Sequence, residues 1–584
     1  MQCKLLLAAV FSGALALSRE NFQYGGLEDG TINQELPDIK DMPFISDCDI
    51  DFIDCDLGLP KILPVPLSYR CIVALTAAYA VVFAALALTR TYHEVSATPR
   101  GNVEASLKAA FQTMTYGPMV CVLFLAYQMR VDFLSGGKGE PQLWAQQCMR
   151  GTTVALLGSA LFVFVIPMYF GKPMPLIPGT FVIVTPRPPD TSRILCSVMR
   201  YFILLALYTG LAGVALGIWS YTPQESDPAK VPKPAPAVMC TMIVTGIFFL
   251  TQLVVAVCRT ITEFKGHETA LFVGITNGAS STVEFGPTLC TLFLAARMQA
   301  LQHGGRPEAW AEFCMCAATC TLGLASLLAV FVPMVLAGIV TINPVTSEAK
   351  FEVPNRILGL TLLACRYVAM LCFHGGTAGV ALSMFFLRSQ RMLPIAPALQ
   401  CVLILAVQFF VIYFIMMVVI TTVELSEGYL PMESCTCFAG LEAAKGTVQI
   451  APMLSILFLT TRMYALLITD DKGAPQPWVQ DAMYAATWSL LASAVVCLAT
   501  GITMGKVEQN ERGDITNRVH VMPLAIPLFI IRYICMLVLY GSIVATIVGL
   551  FVMVPGTAKG QASIRNLWPD AKLKPHFLSR QSAF

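Results

Sequence analysis

Three polar residues that could contact a solute occupy matching positions along the chain. Thr115, Glu284 and Gln449 each lie three residues before a proline, inside an otherwise apolar segment. An ionisable group such as Glu284 is costly within a membrane-spanning segment, so it indicates a functional role there. The alternative is that Glu284 lies at the cytoplasmic interface, where a charge needs no special explanation.

The prolines suggest how such a site would be built. Proline removes a helical hydrogen bond and clashes with the preceding turn, so each helix should kink or break there. A broken, polar helix can line a path for a solute or ion, although a kink could also serve packing alone. The other path candidates are Gly117, Pro118, Gly286, Pro287, Pro452 and His374, the last being either a proton relay or a polar packing contact.

Composition places these residues in a lipid environment. The chain is 56% hydrophobic and 13% charged, with a mean hydropathy of +0.68, whereas soluble proteins carry roughly 25% charged residues. The predicted partner is therefore the lipid bilayer. A net charge of +2 gives no electrostatic footprint for nucleic acid. We expect an all-α polytopic membrane protein.

Sequence motifs for known enzyme or cofactor chemistry are missing. The chain contains no HExxH, CxxC, GxSxG or phosphate-binding glycine motif. We therefore expect no cofactor, no metal site and no enzymatic activity. An intramembrane enzyme is the least favoured hypothesis, because no nucleophile, base or ligand set has suggestive spacing.

The N-terminal region predicts entry into the secretory pathway. Lys4, a short apolar run and the small residues Ala14 and Ala16 are typical of a signal peptide over residues 1–18. Residues 19–64 form an acidic tail expected on the non-cytosolic side. Cys48 and Cys55 could form a disulfide there. A calcium site among the neighbouring aspartates is an alternative, although the glycine and glutamate of an EF-hand loop are missing.

Three blocks recur three times in the same order. The proline block places a phenylalanine six residues and a methionine eleven residues after each proline. A Gly-x-Pro-x-x-Trp block and an Arg-Tyr block follow it. We interpret their tryptophans and arginines as anchors at the membrane interface. These anchors are Trp144, Trp310, Trp478, Arg200, Arg366 and Arg532.

The blocks divide the chain into three units of four apolar segments each. About twelve membrane-spanning helices are therefore expected, and an even number per unit makes the repeats parallel. The predicted boundaries are 65–222, 223–390 and 391–556, followed by a C-terminal tail over 557–584. Glycines in the fourth helix of each unit, among them Gly213, Gly375 and Gly376, should permit close helix approach.

The distribution of basic residues sets the expected orientation. Loops after the odd-numbered spans carry more Lys and Arg than the opposite loops, which places them in the cytoplasm. The C-terminal tail is also basic, although twelve spans would place it outside. Either the tail is an exception or the span count is off by one. A plasma membrane or an internal membrane, including that of a plastid, fits the secretory signal.

The blocks resemble those of a known group of proteins. Leu457–Met463 and the segment from Gly473 to Trp478 are similar to blocks of a repeat-containing multi-pass family abundant in dinoflagellate algae. The resemblance covers most of residues 65–555. It implies the repeat architecture only, because that family has no known activity.

These observations favour a membrane transport protein, either a channel or a secondary transporter. Three parallel units would close around a pseudo-threefold axis, and the proline-kinked helices would line a path for a small solute or ion. The alternative is a non-transporting scaffold or receptor-like protein that recruits partners the sequence does not identify.

Overall fold

The computed structural model describes the chain from Val65 to Met553, with gaps at many of the connections. The described residues are 65–96, 102–135, 139–170, 191–221, 234–265, 270–302, 307–336, 340–342, 349–351, 356–387, 391–392, 395–425, 436–468, 475–504 and 525–553. All of them belong to one compact unit, Val65–Phe584. The predicted signal peptide, the tail with Cys48 and Cys55, and residues 557–584 lie outside the described residues.

Within these ranges the same succession of long and short helices occurs three times, and each occurrence is called a round. Each round has a long helix, a short helix that continues after an interruption into a longer one, and two further long helices. The first round is α1 (Leu67–Ser96), α2 (Asn102–Met114), α3 (Gly117–Ser135), α4 (Leu143–Phe170) and α5 (Thr191–Ser220). The second is α6 (Pro236–Lys265), α7 (Ala270–Val283), α8 (Phe285–Gln302), α9 (Ala309–Leu336) and α10 (Arg356–Ser383). The third is α11 (Pro397–Leu425), α12 (Thr436–Val448), α13 (Ala451–Ile468), α14 (Pro477–Met504) and α15 (Ala525–Phe551).

Two short antiparallel hairpins add to the helical fold. Strands β1 (Val340–Ile342) and β2 (Ala349–Phe351) pair in the connection between α9 and α10, with Val340 opposite Phe351. Strands β3 (Phe386–Leu387) and β4 (Arg391–Met392) pair between α10 and α11. The architecture remains all-helical, and these hairpins were not predicted from the sequence.

The chain is an integral, multi-pass membrane protein. Among the described residues, ten helices or helix pairs are long and apolar enough to cross a bilayer, whereas the sequence predicted about twelve spans. The other two predicted segments, 272–300 and 357–387, are helical but fall outside this set. Both carry ionisable side chains, Glu284 and Arg297 in the first and Arg366 and His374 in the second.

The three helices that carry the prolines in their first turn form the centre of the molecule. Helices α3, α8 and α13 contact one another, and nearly all of their residues are buried. Their apolar residues are spread around the whole helix rather than along one face, as expected for helices surrounded by protein. The most buried part of the protein is therefore the part that the proline blocks encode.

The first long helix of each round lies between two central helices. Helix α6 contacts both α8 and α3, helix α11 contacts α13 and α8, and helix α1 contacts α3 and α13. The contacts of α13 with α1 and α3 join the end of the chain to its beginning. The central helices and their neighbours therefore form a closed ring rather than an open row.

The last two helices of each round pack closely against one another through glycines. A Cβ atom added at Gly213 of α5 would lie 2.5 Å from the sulfur of Cys148, and one at Gly379 of α10 would lie 2.5 Å from that of Cys314. The close approach predicted from these small residues is present. Gly375 is different, since nothing lies within 4 Å of the position its Cβ would take.

Candidate functional site at the helix interruptions

The helix interruption predicted beside each proline is present. The helix breaks at Thr115–Tyr116 before α3, at Glu284 before α8, and at Gln449–Ile450 before α13. Each proline then lies in the first turn of the following helix, where its missing N–H needs no partner. The breaks are local, because the Glu284 N–H still reaches the Ser280 carbonyl at 3.3 Å.

The interruptions lie close together around the centre. A Cβ atom added at Gly117 would be 3.3 Å from the methyl carbon of Met453, and one at Gly286 would be 3.7 Å from that of Met119. In both pairs the glycine precedes its proline and the methionine follows another proline. A methionine side chain after one proline thus packs against the glycine before the proline of another round.

Glu284 lies in a charged cluster built by three helices. Tyr413 of α11 donates a hydrogen bond from its hydroxyl to Glu284 Oε2 at 2.8 Å. Lys445 of α12 places its Nζ 2.9 Å from the same oxygen and 5.0 Å from the centre of the Tyr413 ring. The Lys445 and Glu284 side chains keep 23% and 32% exposure. The carboxylate is thus neutralised by one cation and held by one hydroxyl.

Gln449 reaches the same cluster. Its side chain interacts with the Tyr413 hydroxyl, and its backbone carbonyl accepts a hydrogen bond from Tyr79 of α1 at 3.0 Å. Two of the three residues singled out from the sequence, Glu284 and Gln449, are therefore linked through Tyr413.

Thr115 has a different environment. Its hydroxyl donates to the Gln112 carbonyl of its own helix at 2.6 Å. The adjacent Tyr116 instead makes the contact across the interruption, donating to Gln252 Oε1 of α6 at 3.4 Å and packing against Phe248. The first interruption therefore carries no charge, and Thr115 is not part of the charged cluster.

The residues that sequence reasoning missed are Tyr79, Tyr413 and Lys445. A signal for the two tyrosines was available in the first helix of each round. If Cys71, Cys240 and Cys401 are aligned, the residue eight positions after each cysteine is aromatic. The residue twelve positions after it is Phe83, Gln252 or Tyr413. Of these residues, Tyr79 contacts the third interruption, Gln252 the first and Tyr413 the second. We find no comparable signal for Lys445.

His374 lies behind the second interruption rather than in the charged cluster. Its Nδ1 is 2.8 Å from the Met370 carbonyl of its own helix, while its buried Nε2 has no hydrogen-bond partner. Its ring packs against Phe285, which follows Glu284, and against Phe414 at 4.9 Å between centroids. This aromatic environment fits a packing role better than a relay, because no proton acceptor meets Nε2.

The central helices hold buried hydroxyl groups near the prolines. The Thr288 Oγ1 and Ser455 Oγ atoms are buried without a hydrogen-bond partner, although both residues lie on helices at the centre. Thr288 takes the position that Met119 and Met453 occupy after the other prolines. Both hydroxyl groups are therefore polar atoms within the packed centre of the protein.

The predicted interfacial anchors whose side chains are described lie at the surface, and the Arg200 side chain lies outside the described residues. The three tryptophans are 39–42% exposed, and each indole N–H donates to the side chain two residues earlier. These bonds are Trp144 to Gln142 at 2.8 Å, Trp310 to Glu308 at 2.6 Å, and Trp478 to Gln476 at 2.5 Å. Arg366 is exposed and Arg532 is partly exposed, as an interfacial position requires.

Among the described residues, no group of three His, Cys, Asp or Glu side chains is placed to hold a metal ion. No protein-family model matches the chain, and no curated protein matches it significantly. The family resemblance noted in the sequence is therefore carried only by its motifs. The apolar helices establish that the chain is an integral, multi-pass membrane protein.

Proposed function

We propose that this protein is a transport protein, a channel or secondary transporter, which moves a small solute or ion along the axis where α3, α8 and α13 meet. The observation that carries this proposal is the charged cluster of Glu284, Lys445 and Tyr413 at a helix interruption. Ionisable residues within membrane-spanning segments mark substrate and ion pathways. Interrupted helices are also how transporters place polar groups at mid-membrane.

The proposal includes three parallel units of four spans around a pseudo-threefold axis. The recurring helix lengths and the ring of contacts, which returns from α13 to α1, support it. On this basis we also propose membership in the dinoflagellate multi-pass family. The symmetry is broken at the interruptions, where the aligned residues are Thr115, Glu284 and Gln449. One charged position among three suits a single binding site.

Transport would require the central helices to move apart. In the described conformation α3, α8 and α13 are in direct contact and almost wholly buried. The charged cluster joins α7–α8, α11 and α12, so breaking its ion pair would release one helix from another. We propose that the cluster holds the closed state and exchanges its internal partners for the transported species.

The same burial supports a second candidate, a non-transporting scaffold. A packed centre is what a purely structural protein would have, and the ion pair would then only fix the positions of three helices. The two functions differ in one property, which is passage of a solute through the purified protein.

The test is flux through the protein in liposomes, measured for K⁺, Na⁺, Cl⁻ and glycerol. Selective flux that Glu284→Gln changes at least about fivefold would support the proposal, since an ion pair acting on a rate through about 1 kcal/mol gives that factor. The matched control is Glu442→Gln, an exposed carboxylate on α12, which should leave flux unchanged. No flux from a folded wild-type sample would favour the scaffold.

A further inference from the structure

Three methionines at equivalent positions line one cavity. Met129, Met298 and Met463 each lie eleven residues after the proline of their helix, which is about three helical turns. All three line the same cavity near the C-terminal ends of the central helices, and they are 3%, 3% and 6% exposed. The remaining lining residues are Asp132, Leu301, Gln302, Leu466 and Leu467.

The carboxylate in this cavity is held in place by its own contacts. Gln128 Nε2 donates to Asp132 Oδ1 at 2.8 Å, and the Tyr69 hydroxyl donates to Asp132 Oδ2 at 3.2 Å. Asp132 is only 4% exposed. It lies one turn beyond Met129 on the same helix, so the carboxylate and the thioether share a face.

The chemistry of the lining selects one class of ligand. Thioether sulfur is a soft, uncharged donor, and soft sulfur ligands favour Cu(I) over hard cations. None of the lining side chains is cationic, and Asp132 is the anionic one among them. Gln302, the amide among the lining residues, lies beside the Arg462 guanidinium, 3.1 Å from its Nε.

We propose that this cavity binds a soft monovalent cation, of the Cu(I) or Ag(I) type, through the sulfur atoms of Met129, Met298 and Met463, with Asp132 balancing its charge. As a statement about which species enters the path, this inference rests on the proposed transport function. As a binding site it does not, because binding can be measured without flux.

The competing explanation is that the methionines only fill space. Methionine adapts to irregular gaps in a core, and the cavity of about 30 Å³ is small. If the methionines only fill space, a cation should not perturb all three of them together. This explanation also predicts that replacing them with leucine, a swap that conserves volume, changes nothing except packing.

The test is a titration of purified protein in detergent with Ag(I), which needs no reductant, followed by NMR of ¹³C-methyl methionine. The chain has 27 methionines and 20 cysteines, so the cysteines will also bind silver. The methyl signals avoid this difficulty, because each is assigned by its loss in a Met→Leu variant. We expect the signals of Met129, Met298 and Met463 to shift together and to saturate at one equivalent.

The matched control uses a second threefold set. Met149, Met315 and Met483 lie five residues after the three tryptophans and are fully buried. Their signals should not shift with the first equivalent, and replacing all three with leucine should preserve the site. Met298→Leu alone, and Asp132→Asn, should each weaken Ag(I) binding at least about tenfold, since even outer-shell partners contribute that much.

Two results would overturn the inference. One is that silver shifts none of the three methyl signals while cysteine binding proceeds, which would leave the methionines as filler. The other is that K⁺ shifts them as strongly as Ag(I), which would remove the soft-cation assignment. Flux without silver binding would refute this site and leave the transport proposal intact. Silver binding without flux would support this site and refute the transport proposal.

Discussion

Glu284 obtains its charge partner from another helix rather than from its own. Lys445 and Tyr413 approach the same carboxylate oxygen from α12 and α11. Partial exposure weakens such a pair, because water screens both charges. The contribution of this ion pair to stability is therefore modest, and its greater consequence is that it determines which helices are held together.

A double-mutant cycle measures this pair. We expect Glu284→Gln and Lys445→Met to show a coupling free energy of about 1 kcal/mol for unfolding in mixed micelles. The comparison cycle pairs Glu442→Gln with Lys445→Met, where Glu442 is exposed on the same helix, and should give less than about 0.5 kcal/mol. Equal coupling in the two cycles would mean that Lys445 does not prefer Glu284.

Tyr208 and Tyr540, each eight residues after the arginine of its Arg-Tyr block, should respond in opposite ways to the same substitution. The Tyr208 hydroxyl donates to the Phe249 carbonyl at 2.6 Å, while the buried Tyr540 hydroxyl has no hydrogen-bond partner. Tyr208→Phe should therefore lower the free energy of unfolding by about 1 kcal/mol, and Tyr540→Phe should raise it by a similar amount. Thermal unfolding of both variants would check this. Destabilisation of equal size at both positions would contradict the described contacts.

At the scale of the elements, the seam between α9 and α10 depends on glycine at particular positions only. A Cβ atom at Gly376 would lie 3.0 Å from the Ala318 Cβ and 3.1 Å from the Cys314 carbonyl oxygen. The neighbouring Gly375 faces open space. The seam therefore constrains one of two adjacent glycines and not the other.

This difference gives a matched pair of variants. Gly376→Leu should destabilise the protein by about 1–3 kcal/mol, because backbone atoms of α9 must move to accommodate the side chain. Gly375→Leu should leave stability unchanged or raise it by up to about 1 kcal/mol, since leucine favours the helix. Unfolding temperatures in detergent would distinguish the two. A larger loss at position 375 would show that its environment is not open.

The helices and their interruptions were more predictable from the sequence than the contacts between helices. The prolines identified the interruptions, and two of the three aligned residues, Glu284 and Gln449, lie near one another. Apolar periodicity could not show that α11 and α12 deliver Tyr413 and Lys445 to Glu284, because it reports burial and not the identity of the neighbour. The hairpin β1–β2 was missed for a related reason, since its three-residue strands are too short to show alternation.

At the scale of the whole molecule, the contacts of α13 with α1 and α3 close the arrangement. Closure surrounds the three central helices with protein and allows polar groups such as Thr288 to lie far from lipid. It also brings other helices against α7–α8 and α10, the two predicted spans outside the set of ten. A span flanked by protein can carry charge that a lipid-facing span could not.

The most direct test of an axial path uses Thr288, which is buried on α8 next to its proline. Flux through Thr288→Cys in liposomes would be measured with a small cationic thiol reagent, beside wild type and Leu324→Cys, whose side chain is half-exposed on α9. We predict that the reagent abolishes most of the flux in Thr288→Cys alone, and faster while flux is driven. Flux that is equally insensitive, or equally inhibited, in all three proteins would contradict a path along the central axis.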